Sequence, residues 1–396
     1  MAAAVSASAS GSVDVTIVDD NPRLGGQIWR AELGRIKSAE AREIVAALDQ
    51  QKIKIVNNAT VFAGGGNMLS AETALGKIQI SYRKLILATG ARERFLPFPG
   101  WTLLNVFGAA GLQAMVKGGV SVRDKRIVVG GTGPLLLVVA QYLAAKGAHV
   151  AAICEQTSNR KLDRFALGLW RSPSKIIQGV TLRGKLRGVP YYRNSWVTAA
   201  NGESELRSVT INRFGKTEDV ECDVLAVGFH LVPNIELAQV LGCRIVDGFV
   251  AVDDHQQTSI PDVYCAGEPT GIGGVDAALV EGKIAGFAAT DQFDKAASLQ
   301  RSRKQTAAFA RALDQAFELR GELKNLAANS TIVCRCEDVQ YGKLAEYKDF
   351  RTAKLQTRCG MGSCQGRICG AAVEFLFGWK ERSVRPPIFP VKMENL

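Results

Sequence analysis

The chain is short of histidine, of aromatic residues and of long apolar runs, and each shortage removes a class of function. Three histidines in 396 residues, His149, His230 and His255, share no metal-like spacing and read as structural or surface groups. No apolar run approaches the roughly 20 residues needed to cross a bilayer. The opening Met-Ala-Ala-Ala-Val-Ser-Ala-Ser has neither the basic start nor the leucine-rich centre of an export signal, so the expected compartment is the cytoplasm. Aromatic residues make up only 7%, and no basic motif is interleaved with them, so the formal net charge of +11 reads as scattered, solvated charge rather than a nucleic-acid surface. A basic face for an acidic partner, or for peripheral contact with an anionic membrane, is the use that composition leaves open. Cys154, Cys222, Cys243 and Cys265 stand alone, with no Cys-x-x-Cys among them, which argues against dithiol-disulfide exchange.

What the chain has instead is five more cysteines close together: Cys334-Arg-Cys336, then Arg358-Cys359-Gly-Met-Gly-Ser-Cys364-Gln-Gly-Arg-Ile-Cys369-Gly370. Two thiolates one residue apart can reach a single iron, and a second pair about thirty residues on closes the four-thiolate site that a [2Fe-2S] cluster uses. Glycines at 360, 362, 366 and 370 let the backbone turn closely around the sulfurs and aim N–H groups at them. Five cysteines compete for four places, and both Cys359/Cys364 and Cys364/Cys369 have four residues between them, so spacing does not choose the second pair. A structural zinc site and free buried thiols are the alternatives. The single-residue gap of Cys334/Cys336 is shorter than the usual zinc spacing.

Earlier in the chain the signals are those of nucleotide binding. Residues 13–19 read as a buried parallel strand ending in the carboxylate of Asp19, where a dinucleotide fold holds ribose hydroxyls. The glycine-rich loop belongs about twenty residues before such an acid, which falls ahead of Met1. Residues 2–11 look like the small-residue helix that follows that loop, and the expectation is that the first strand and phosphate loop are missing through a truncated or wrongly started reading frame. A turn follows at Asn21-Pro-Arg-Leu-Gly25-Gly26-Gln27-Ile-Trp29-Arg30, and residues 84–90 form an apolar strand ending in Thr89-Gly90. A second unit opens at Lys125: strand, Gly130-Gly131-Thr-Gly133, helix, strand and the terminal acid Glu155, the strand-glycine-helix-strand-acid order of a second nucleotide fold. Leu136 stands where the third glycine of that motif allows close helix packing, so NADH turnover does not follow from it. Asp262-Val-Tyr-Cys-Ala-Gly267-Glu268-Pro-Thr-Gly271-Ile-Gly273-Gly274 reads as a closing strand that delivers an acid beside a helix N-terminus. Residues 290–328 are a helical connection.

These runs resemble the FAD- and [2Fe-2S]-containing alpha subunits of hetero-oligomeric amino-acid dehydrogenases, the family that takes in the A component of opine oxidase, the B component of hydrogen cyanide synthase and the hydroxyproline or proline dehydrogenase alpha subunits. The resemblance spans residues 2–385 and is most specific in Cys359-Gly-Met-Gly-Ser-Cys364-Gln-Gly-Arg-Ile-Cys369-Gly370. It implies an α/β flavoprotein with two dinucleotide-binding domains, similar to glutathione reductase. A small C-terminal domain similar to bacterioferritin-associated ferredoxin would carry the [2Fe-2S] cluster. The implied boundaries are 1–105 and 222–295 for the FAD domain, 106–221 for the second dinucleotide domain, 296–330 for the helical linker and 331–396 for the cluster domain. The resemblance implies FAD contacts at Asp19, Gly25, Gly26, Gln27, Val61, Thr89, Gly90, Gly267, Glu268 and Gly273. A second nucleotide, NAD(P) or ATP, would lie at Gly131, Gly133 and Glu155. Cluster ligands fall on Cys334, Cys336, Cys364 and Cys369, with Cys359, often alanine in the family, as the alternative. In such complexes a beta subunit resembling D-amino-acid oxidase oxidises the substrate C–N bond and the alpha subunit relays electrons, which accounts for the lack of a substrate acid or base in this sequence. A stand-alone NAD(P)H-dependent reductase and a flavin-free binding module are the competing readings.

Overall fold

The computed structural model describes residues 1–29, 39–51, 53–171, 173–380 and 384–396; Arg30, at the end of the first glycine turn, lies outside them. The chain forms two compact units. One comprises residues 1–92, 233–311 and 382–396, the other 93–232 and 312–381.

In the first unit the helix Ala2–Ser8 lies against the long helix Gly274–Ala289. Its sequence is almost all small residues, and Ala2, Ala4, Ser6 and Ala7 are buried. Gly282 and Gly286 on the partner helix leave no room for more: a Cβ on Gly286 would stand 2.3 Å from the Ala3 carbonyl oxygen and 2.8 Å from Ser6 Cβ. Two short parallel pairs accompany these helices. Thr16–Val18 pairs with Lys54–Val56, and Leu85–Leu87 with Val263–Cys265. Thr60–Gly65, Met68–Thr73 and Gly76–Ser81 make an antiparallel meander. The last of these strands alternates half-buried and exposed positions, as expected of a sheet that packs on one face and meets water on the other. Leu69, Leu87, Leu237, Cys243, Val263 and Ile388 form the core beneath it. Ile388 arrives from the far end of the chain, its N–H donating to the Phe62 carbonyl at 2.8 Å.

The second unit is built on a five-stranded, all-parallel sheet in the order Tyr191–Arg193, His149–Glu155, Arg126–Thr132, Val224–Phe229, Val106–Gly108. Ile127, Val128 and Val129 have no exposed surface, the mark of a strand covered on both faces. The helices Ala109–Lys117 and Leu135–Ala145 contribute to the core on one face. The antiparallel strands Ser195–Asn201, Ser208–Arg213 and Lys216–Glu221 lie over the other. Gly131, at φ +134°, fits only as glycine, because a Cβ would sit 1.9 Å from the Gly228 carbonyl oxygen.

Two features differ from the implied boundaries. Val224–Phe229 pairs with Arg126–Thr132 and belongs to this parallel sheet, although 222–295 reads in the sequence as a return to the first domain. Residues 312–381 are compact with the sheet domain rather than separate: Leu323 has no exposed surface in its core, and Trp101 Nε1 donates to the Ile332 carbonyl at 2.6 Å. Both follow from contacts far apart in sequence, which composition does not reveal.

The interlocked helices yield a direct test. Gly286→Ala should destabilise the first unit by about 1–3 kcal/mol, the usual cost of overpacking. This is read as a lower denaturant midpoint for that unit, with the second unit's transition unmoved.

Candidate functional site

Strands Ile332–Cys334 and Val339–Gln340, the helices Phe350–Thr357 and Cys369–Phe377 and the loop between those helices bring the five tail cysteines together. The loop is tightly curled: Arg358, Gly360, Gln365 and Gly366 all have positive φ. Arg358 Nε ties it to the first cysteine loop by a 2.7 Å bond to Glu337 Oε2. Gly362 is forced by close approach, since a Cβ there would stand 2.3 Å from Cys336 Cβ. Val333, Val339, Leu344, Phe350 and Val373 form the small core behind the sulfurs.

The Sγ atoms of Cys334, Cys359 and Cys369 all lie within 4.8 Å of one another, and all three residues are buried. Cys364 is half-buried and Cys336 exposed, and Cys364 interacts with both Cys369 and Cys336. The thiols of Cys359 and Cys369 hydrogen-bond to the Cys334 sulfur and hold its pKa down to about 2, against the effect of burial. The same bond to Cys334 pushes Cys359 up to about 12 and raises Cys369. Cys364 is held at about 5, chiefly by the Cys369 thiol. A nest of sulfurs that shares protons in this way is a ready site for a thiophilic cation, which would displace those protons. The donor set is all sulfur, and it is compatible with an iron-sulfur site. Geometry therefore brings Cys359 into the group on equal terms with Cys334 and Cys369, and leaves Cys336 on its outer side.

In the first unit, the residues expected to hold a nucleotide sit at strand ends and turns. Asp19 follows Thr16–Val18; its carboxylate accepts from the Asn21 N–H at 2.9 Å, and its carbonyl accepts from Ala59 N at 3.0 Å, next to the strand that carries Val61. Val61 itself packs its side chain against the core of the meander. Gly25, Gly26 and Gln27 form the following turn, with Gly26 and Gln27 exposed. Thr89-Gly90 and Gly267-Glu268 lie together at the carboxyl ends of the parallel pair Leu85–Leu87 and Val263–Cys265. Glu268 Oε1 accepts from Gly274 N at 3.0 Å, beside Gly273 at the start of the long helix. At Gly26, Gly90 and Gly274, all with positive φ, the space a side chain would take is open. Open glycine faces at strand ends and at a helix N-terminus are what a pyrophosphate or a flat ring needs for close approach, so these residues fit a nucleotide cofactor.

Two supporting residues were not singled out from the sequence. Asn234 clamps the Thr89-Gly90 turn, donating to the Thr89 carbonyl at 2.9 Å, while its backbone N–H meets the Gly90 carbonyl at 3.0 Å and Arg92 meets its Oδ1 at 2.8 Å. Glu281 holds the other turn, accepting from Gly267 N and Thr270 Oγ1 at 2.8 Å each, with burial pushing its carboxyl up. The only local sign of Glu281 is an acid on an apolar helix.

In the second unit, Gly131, Gly133 and Glu155 also come together, but they face inward. Glu155 has no exposed surface. Its carboxylate accepts from Gly133 N at 2.7 Å and Thr157 N at 2.9 Å, with the Thr132 hydroxyl at 3.3 Å. Burial pushes this carboxyl up. Leu136, where the motif calls for glycine, is core, its Cδ2 3.6 Å from the Cβ position of Gly228.

A parallel sheet with a glycine turn and terminal acid in one unit, and a second nucleotide-shaped set of turns in the other, define a class. The chain belongs to the pyridine nucleotide-disulphide oxidoreductase family, whose profile matches residues 1–282. Within it, the chain is 31% identical to hydrogen cyanide synthase subunit HcnB of Pseudomonas aeruginosa, over 93% of this chain and 88% of that protein. It is 29% identical to the A component of opine oxidase from Rhizobium meliloti, over the whole chain and 85% of that protein. The crystal structure of L-proline dehydrogenase from P. horikoshii superposes with a TM-score of 0.70 at 19% identity, covering 100% of this chain and 76% of that one, a likeness of fold. The chain is an oxidoreductase by family, and its first 300 residues hold no Cys-x-x-Cys.

The thiols divide sharply. Burial pushes Cys154 and Cys222 up to about 12 and raises Cys265 further. In metal-free folded protein, iodoacetamide at pH 7.5 should label Cys336 and Cys364 and leave Cys154, Cys222 and Cys265 unmodified until denaturant is added, as read by peptide mass spectrometry.

Proposed function

We propose that the chain is the electron-transferring subunit of a hetero-oligomeric dehydrogenase of amino or imino acids, holding FAD in its first unit and an iron-sulfur cluster in its cysteine tail. The observation that carries this is the convergence of the tail cysteine sulfurs, with Cys334, Cys359 and Cys369 within 4.8 Å of one another and Cys364 in contact with Cys369 and Cys336. The named relatives are components of larger enzymes, one for hydrogen cyanide synthesis and one for opine oxidation. By that likeness a partner subunit resembling D-amino-acid oxidase does the C–N chemistry, with an opine, D-amino acid, hydroxyproline or glycine as substrate.

FAD, when bound, accepts an electron pair and releases it one electron at a time, which a one-electron cluster requires. The chain's own part is to bind and orient. Asp19 would take ribose hydroxyls, Gly25, Gly26 and Gln27 the face of the ligand, Thr89-Gly90 and Gly267-Glu268 the pyrophosphate and ribityl region, and Gly273 the approach at the helix N-terminus. Asn234 and Glu281 would fix the shape of the two turns. Cluster ligands come from Cys334, Cys336, Cys364 and Cys369, or with Cys359 replacing one of the outer two. The curled loop through Gly360, Gly362 and Gly366 would keep water from the buried sulfurs and hold the cluster charge. No described helix is long and apolar enough to cross a membrane.

The test is an absorption spectrum with iron, sulfide and flavin assays on anaerobically purified protein, alone and co-expressed with a D-amino-acid-oxidase-like partner. Iron and sulfide in equal amount with flavin, reduced on adding an amino acid only when the partner is present, is the expected result. Zinc without iron would sink the cluster, and a colourless chain in the complex would sink the flavin. Cys334→Ala and Cys369→Ala should each remove the iron, since every arrangement needs them. Comparing Cys336→Ala, Cys359→Ala and Cys364→Ala then identifies the remaining two ligands. Asn234→Ala should lower flavin affinity by about tenfold through loss of its side-chain bonds to the Thr89 carbonyl and from Arg92, about 1.4 kcal/mol, read by flavin retention on dialysis.

A further inference from the structure

The glycine turn and acid of the second unit form a nucleotide site in pattern, yet a segment of the same chain lies where the nucleotide would. Residues 317–320 follow the helix Gln300–Ala316 and run across the ends of the strands Arg126–Thr132 and His149–Glu155. The Phe317 ring covers the turn, its Cγ 3.9 Å from the Cβ position of Gly133. Phe165 meets that ring edge-on, with centroids 5.2 Å apart. The Thr132 hydroxyl lies 3.1 Å from the Phe317 carbonyl. Gln156 then reads the segment as a strand neighbour would: its Nε2 donates to the Glu318 carbonyl at 3.1 Å, and its Oε1 accepts from Arg320 N at 3.1 Å. Arg320 closes the strap, donating to the Gln156 carbonyl and Asn194 Oδ1 at 3.1 Å each and laying its guanidinium 3.7 Å over the Trp196 ring. Lys161 holds Glu318 at 3.1 Å.

The Gly133 N–H, the Thr132 hydroxyl and the Glu155 carboxylate are all engaged within the chain. The pyrophosphate needs the turn's N–H groups and the ribose needs the strand-end acid. Here the Gly133 N–H points at Glu155, and Thr132, Glu155, Gln156 and Thr157 are all 4% exposed or less. The residues present do not fit NAD(P) or ATP at this site. We propose that the site is filled by the chain itself: residues 317–320 occupy the nucleotide's place and serve as the tether that docks the cysteine-bearing segment onto the parallel sheet. The strap leads directly to Leu323 in the sheet's core, to Ile332 bonded by Trp101, and then to Cys334. A nucleotide site has become an internal anchorage for the redox tail, and reducing equivalents do not enter through it.

Hydrogen-exchange mass spectrometry on the full chain tests this, with far-UV circular dichroism as the folding control. Peptides covering residues 131–135, 155–157 and 317–323 should be slow to exchange without ligand, and unchanged by about 1 mM NADH, NADPH or ATP, a concentration that would occupy any site of useful affinity. Gln156→Ala, which removes both strap contacts of its side chain, should speed exchange at 317–323 and at 332–336 by about tenfold or more. Asp163→Ala, which removes a carboxylate that accepts from Arg193 and not from the strap, should change neither. Fast exchange of 317–323 in the unaltered chain, new protection at 131–135 on adding a nucleotide, or a Gln156→Ala protein with the wild-type pattern would each overturn the proposal. Because the readout needs neither flavin nor cluster, it stands apart from the fate of the proposed function.

Discussion

Sulfur atoms held within 4.8 Å of one another cannot all carry charge unless something positive, or shared protons, sits among them. That constraint governs the tail. In the metal-free chain the hydrogen bonds from Cys359 and Cys369 hold the Cys334 thiol well down, and the same contacts push Cys359 and Cys369 up. The positive-φ residues Arg358, Gly360, Gln365 and Gly366 bend the backbone so that the sulfurs can approach at all, and Arg358 braces the bend against Glu337. The fold behind them is small, so it leans on the parallel sheet through Trp101 and Leu323. An arrangement with so little core of its own needs a cation, a neighbour or both to stay closed.

Much of this architecture was legible in the sequence because it is written in local patterns. The run Arg-Ile-Val-Val-Gly-Gly-Thr-Gly marks a buried strand and turn, and that is what Arg126–Thr132 is. Glu155 was legible as the acid ending the next strand, but not its use. Its carboxylate is taken up by Gly133 N and Thr157 N, while the adjacent Gln156 binds the 317–320 segment more than 150 residues away, a pairing that no local pattern encodes. The same holds for Asn234, whose turn partners lie 145 residues upstream. Among the cysteines, spacing identified the group of five, while burial and proximity, which spacing cannot measure, put Cys359 on equal terms with Cys334 and Cys369. Assigning 224–229 to the first unit followed sequence order, whereas its hydrogen bonds run to Arg126–Thr132 and Val106–Gly108.

The glycine turns of the two units use the missing side chain for opposite purposes. In the first, Gly26, Gly90 and Gly274 leave open space, as a cradle for a ligand must. In the second, Gly131 is pressed against the Gly228 carbonyl, so the missing side chain serves packing. A glycine motif is thus compatible with a binding site and with its filled-in descendant. The difference lies in what faces the backbone.

The course of the chain also bears on synthesis. The meander of the first unit is completed by the last dozen residues: Ile388 joins its core, and Asn395 binds Glu72 at 2.7 Å across 323 positions of sequence. During translation, residues 60–81 leave the ribosome long before these partners exist, while the parallel sheet of the second unit has all its strands by residue 229. The nascent chain therefore carries an unfinished first unit through most of its elongation, with the apolar face under Leu69 and Val61 uncovered. That interval is when a chaperone, or an early-bound cofactor, has the most to contribute to yield.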